Sequence, residues 1–167
     1  MTLYILSVWL HIVAATVWIG GMLFLVLVLI PALRGLGNRG LAATLVHHVG
    51  VRFRSVGWLS LLLLVMTGLI NLVKRGIGWT ALTSPELWRS EFGHILGIKL
   101  SLVALTFLLS AVHDFLIGPK ATKAGRLEPG SPEAQRLRRQ AAWMGRFNLL
   151  MGLIIAALGV MLVRGAP

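Results

Sequence analysis

The chain has 167 residues, 57% of them hydrophobic and 13% charged, with a mean hydropathy of +0.85. It contains no cysteine, which excludes disulfides, thiolate metal ligation and cysteine catalysis. A net charge of +11 would point to nucleic acid in a soluble protein; in so apolar a chain it reads as membrane topology, and no nucleic-acid partner is expected.

The first apolar run, LYILSVWLHIVAATVWIGGMLFLVLVLIPAL, carries no charge before Arg34. It exceeds the roughly 20 residues needed to cross a bilayer core, so tilt or a protruding end is expected. Lacking a basic n-region and a small-residue cleavage site, it reads as a span and not as a cleaved signal. Taking this run as 3–33, further spans are predicted at about 54–74, 92–117 and 143–163, in one domain over 1–167. Between the second and third, Ser84–Pro85–Glu86 has the pattern of a helix start: a hydroxyl cap, a proline whose missing N–H costs nothing, and a first-turn acid. Trp79, Leu82, Leu87 and Trp88 mark that segment as an interfacial anchor. Gly118–Pro119 reads as the stop of the third span.

Basic residues sit unevenly. Arg34, Arg39, Arg52 and Arg54 fall in the first loop, and Lys120, Lys123, Arg126, Arg136, Arg138, Arg139 and Arg146 in the third. The other side has Lys74, Arg75, Arg89 and Arg164. Cytoplasmic loops carry the excess of Lys and Arg, so both termini are expected on the outer, periplasmic side of a bacterial inner membrane. Anionic headgroups would hold the third loop near the surface.

Each span carries a stripe of polar or small residues at helical spacing. The stripes are Ser7, His11, Ala14 and Trp18; then Gly57, Ser60, Thr67 and Asn71; then Lys99, Thr106, Ser110 and His113; and Gly145, Asn148, Gly152 and Gly159. Such residues avoid lipid and let helices approach. An all-α, antiparallel four-helix membrane bundle with a polar seam is predicted, the kind of core in which bundle cofactors sit. The Gly145–Gly152–Gly159 spacing also suits a homodimer.

An ionisable ring at bilayer depth marks a functional site. Counting about 1.5 Å per residue, His11 lies roughly 9 Å outward of its span's midpoint, level with Lys99, Gly68, Asn71 and Gly159, with His94 some 7 Å further out. The cofactor-binding set is therefore His11, His94, Lys99, Gly68, Asn71 and His113, with His11, His94 and His113 as metal ligands and the glycines as a floor for a flat group. No catalytic residue is assigned. Ordinary roles compete: His11 bonded to a neighbouring helix, Lys99 snorkelling to headgroups, His94 a boundary residue, His113 and Asp114 a local pair. Imidazole is a common axial ligand of haem iron. It also suits copper, with Met22, Met66, Met151 or Met161 as further soft donors, although methionines more often pack.

LHIVAATVWIGGMLFLVLVL, RFRSVGWLSLLLLVMTGLINL and FGHILGIKLSLVAL resemble the first three core helices of copper-resistance D (CopD-like) membrane proteins. The first-helix histidine and third-helix lysine, His11 and Lys99 here, are also similar to those of HemJ-type protoporphyrinogen oxidases, small haem-binding membrane proteins. AVHDFLIGP departs from the CopD pattern and draws attention to His113 and Asp114. The leading expectation is a b-type haem protein. A filled second axial position would favour electron transfer with a quinone or redox partner protein; an open one would favour a small gas ligand, O₂ or nitric oxide, or porphyrinogen oxidation. The alternatives are copper transport along the seam and an accessory subunit of a larger membrane complex.

Overall fold

The structure is a computed structural model that describes residues 2–35, 39–128 and 130–165. The side chains of Arg34, Arg39 and Arg126, counted above in the basic loops, lie outside the described residues. Every described element is a helix: α1 Thr2–Phe24, α2 Ile30–Gly35, α3 Arg39–Lys74, α4 Trp79–Leu82, α5 Pro85–Arg89, α6 Glu91–Val112, α7 Gly118–Leu127 and α8 Pro132–Arg164. Single π turns at Leu25–Leu29 and His113–Ile117 fuse α1 to α2 and α6 to α7. Four resulting helices, Thr2–Leu33, Gly40–Lys74, Glu91–Gly125 and Pro132–Arg164, are long and apolar enough to cross a membrane. This is a multi-pass membrane protein.

Three helix starts share one chemistry. Ser84 Oγ accepts the Leu87 N–H at 3.4 Å, Ser90 Oγ the Gly93 N–H at 3.0 Å, and Ser131 Oγ the Ala134 N–H at 3.2 Å. Each is followed within two residues by an acid, which suits the positive end of the helix dipole. The Ser84–Pro85–Glu86 start is therefore present, and Ser90–Glu91 and Ser131–Pro132–Glu133 repeat its logic. Of the expected interfacial tryptophans, Trp79 is exposed. Trp88 instead folds back, donating Nε1–H to the Leu82 carbonyl at 2.9 Å and lying over Gly97.

Three boundaries differ from the sequence reading. The second and fourth long helices begin at Arg39 and Pro132, well before the predicted spans at about 54–74 and 143–163. Residues 39–53 contain no proline and are rich in Ala, Leu and Val, so nothing stops the helix short of the bilayer. Gly118–Pro119 does not end the third span either, since α7 carries it on to Leu127. A proline normally breaks a helix through its missing N–H and its clash with the carbonyl four residues back. Here the wider π turn precedes it, with Gly118 N–H bonded five residues back to the His113 carbonyl. Pro31 follows the first π turn at the same offset, where Ile30 N–H reaches the Leu25 carbonyl.

Side-chain size sets the packing. Between α1 and α3 the contacts pair Gly21 with Phe53, Trp18 with Gly57 and His11 with Gly68, so residue numbers run in opposite senses along the seam. Between α6 and α8 they pair Lys99 with Gly159 and Ser110 with Asn148 in the same fashion. The Trp18 indole lies between two glycines: a Cβ at Gly57 would sit 3.7 Å from it, and one at Gly152 only 3.0 Å. Met22, Leu61 and Leu149 complete the buried core around it. Gly152 and Gly159 are thus consumed inside the molecule, and of the proposed dimer stripe only Gly145 has no neighbour within 4 Å.

Replacing Gly152 by Leu should therefore overpack the Trp18 contact and cost about 1–3 kcal/mol. Gly20→Leu, where nothing lies within 4 Å, should change stability by no more than about 0.5 kcal/mol. Thermal unfolding of both variants in one detergent checks the contrast.

Candidate functional site

His11 is held by a short relay on α3. Thr67 Oγ1 donates its proton to the Leu63 carbonyl at 2.5 Å, the usual bond of a helical threonine to the preceding turn. Its oxygen can then only accept, and it takes the Nδ1–H of His11 at 2.7 Å. With the proton fixed on Nδ1, Nε2 carries the lone pair. Orienting a ring through its other nitrogen is how proteins prepare a histidine to bind a metal. Ser7 Oγ donates to the Thr67 carbonyl at 3.3 Å and ties the same two helices one turn further along.

Lys99 completes the layer. Its Nζ lies 3.1 Å from where a Cβ on Gly159 would stand. Gly68 faces the ring at 3.5 Å from His11 Cε1 by the same measure. The glycines expected to floor a flat group are thus filled by the protein's own His11 and Lys99. Asn71, one turn beyond Thr67 on α3, has its Oδ1 buried without a partner. Arg75 closes the end of the layer, donating from its guanidinium to the Leu162 carbonyl at 2.9 Å. Sequence reading did not single out Arg75 or the orienting role of Thr67.

The remaining histidines lie elsewhere. His94 is exposed on the first turn of α6. His113 sits at the other end of the bundle, on the second π turn, and donates Nδ1–H to Asp114 Oδ1 at 2.9 Å. Asp114 Oδ2 accepts the Trp58 Nε1–H from α3, also at 2.9 Å. Trp58 packs as well as bonds, since its ring also meets Phe107 and Phe115. Among the described residues no three His, Asp or Glu side chains converge. His11, His94 and His113 therefore do not form one metal centre. Two cavities open at the His11 end, of about 210 Å³ beside Thr2, Tyr4 and Lys74 and about 120 Å³ beside Glu91, Phe92 and Met161. Neither is lined by His11, and both fall below the roughly 300–1,000 Å³ of a pocket for a drug-sized ligand.

The family described as copper resistance protein D matches residues 47–162. An uncharacterized protein of Aquifex aeolicus (strain VF5) is 33% identical over 156 residues, spanning 93% of this chain and 92% of that one. No solved structure matches the chain.

The relay makes a spectroscopic prediction. In ¹⁵N spectra of His11, the neutral ring should carry its proton on Nδ1. Thr67→Val, which removes the acceptor, should release the ring towards the Nε2-protonated tautomer while the fold is kept.

Proposed function

The chain belongs to the copper resistance protein D family, and from that premise we propose that it handles copper in the bacterial inner membrane, passing the ion along a polar seam. The bundle is antiparallel, as the oppositely running contacts of α1 with α3 and of α6 with α8 support. Both termini are periplasmic, as the Lys and Arg excess in the first and third loops supports. His11 is the nitrogen donor for the cargo.

The observation that carries this reading is the oriented ring. An imidazole fixed by Thr67 presents one lone pair inside an apolar span, and imidazole is a good donor for copper. Met161, on the wall of the smaller cavity, offers a thioether at the entrance to the same end of the bundle. Met22 and Met151 are buried in the core and serve packing. Lys99, set against Gly159, repels an arriving cation while it is an ammonium, so it must move outward or lose its proton for the ion to pass.

Haem fits less well. The flat slot it needs at Gly68 and Gly159 is taken by His11 and Lys99. The family match is to copper resistance protein D.

Copper content and absorption spectra of the purified protein, loaded with Cu(I), test the reading. The wild-type protein should retain copper, and His11→Ala should hold it about tenfold more weakly, the equivalent of about 1.4 kcal/mol. A Soret band in a protein that retains no copper would overturn the proposal.

A further inference from the structure

Thr106 is the most deeply buried large side chain in the described chain, 1% exposed, and its hydroxyl has no hydrogen-bond partner. That is unusual within this molecule. Thr16, Thr44, Thr67 and Thr83 each give their hydroxyl proton to a carbonyl three or four residues back. Thr106 stands on the same kind of helix with the same carbonyls behind it and does not do so. One turn along α6, Ser110 Oγ accepts the Asn148 Nδ2–H from α8 at 2.7 Å. Asn148 is 8% exposed, and its Oδ1 also has no partner. Turning the amide over does not help, because its other polar end would then be left alone.

A buried hydroxyl and a buried amide oxygen, both orphaned within one turn of a third polar side chain, should each cost free energy in an apolar bundle. Thr106 is both donor and acceptor, Asn148 Oδ1 is an acceptor, and Ser110 has an O–H to give. That set matches a water molecule, which needs two to four polar partners in such a place. The donors are neutral oxygens and an amide, with no imidazole or thioether among them, so the site does not suit copper.

We propose that Thr106, Ser110 and Asn148 form an internal water-binding site at the centre of the membrane bundle. The assignment does not depend on the copper reading. The site lies on the stripe of α6 that also carries Lys99 and His113. By helix rise it stands roughly 10 Å from the Lys99 level and roughly 6 Å from the Asp114 level. It therefore divides the apolar distance between the His11–Lys99 layer and the His113–Asp114 pair into two shorter intervals.

Two measurements on the full chain in nanodiscs decide it. The first is cross-relaxation between water and the Asn148 side-chain amide in ¹⁵N-labelled protein. A long-lived water contact is expected in the wild type, lost in Thr106→Val and retained in Thr106→Ser. The second is the sign of the stability change in Thr106→Val, a substitution that keeps the shape and removes the hydroxyl. Loss of a hydroxyl that holds water should lower the unfolding midpoint by about 2–4 °C; loss of a dry orphan should raise it. A wild-type protein with no water contact at Asn148, or a Thr106→Val protein more stable than wild type, would overturn the site.

Discussion

The Trp18 indole, seated between Gly57 of α3 and Gly152 of α8, is the contact on which the rest of the bundle depends. In lipid, apolar side chains gain little by touching one another, so helices associate where small residues allow backbones to approach. One large flat ring against two glycines on two different helices locks three of the four spans together at once. Met22, Leu61 and Leu149 fill in around it. With that depth fixed, helix register carries His11 to Thr67 and Gly68 in one direction and Gly21 to Phe53 in the other. The site is thus a consequence of packing two turns away.

The polar residues obey a second constraint, that lipid satisfies no hydrogen bond. Most solve it locally, by bonding to their own helix, as Ser60 does with the Val56 carbonyl at 2.9 Å. A few solve it across helices, and these are the ones with chemical potential. Thr67 does both: it spends its proton on its own helix and its oxygen on His11. That division of labour turns an ordinary buried threonine into a device that fixes a tautomer. Asp114 is engaged on both oxygens, by a tryptophan from one helix and a histidine from its own.

Much of this was legible from residue order. Apolar run length gives the spans, and the rise per residue puts His11, Gly68, Lys99 and Gly159 at one depth, where the structure sets His11 against Gly68 and Lys99 against Gly159. What the glycines at that depth do was not legible. Periodicity says that a face is small, and cannot say whether a cofactor or a neighbouring side chain fills the gap. The pairing of Trp58 with Asp114 joins residues 56 apart in sequence and leaves no local signal. The extension of α3 back to Arg39 was missed because span prediction follows lipid thickness, and a helix is free to continue into water. Gly118–Pro119 read as a stop because propensity treats proline as a terminator, whereas a π turn two residues earlier accommodates it.

Those two π turns have a further consequence for how the chain tolerates change. A π turn holds one residue more than the α turn it replaces, so it is a single-residue insertion kept within an otherwise regular helix. The insertion at Leu25–Leu29 is built of leucine and valine alone, and its removal would realign an apolar face that any similar residue can cover. The insertion at His113–Ile117 is different. Neighbouring side chains on an α-helix diverge and do not meet, yet His113 and Asp114 bond to each other here. Excising one residue there would restore a smooth helix and change the register in which Asp114 meets Trp58 of α3. Of two alike irregularities, one is a spacer and the other holds a pair of ionisable groups in register.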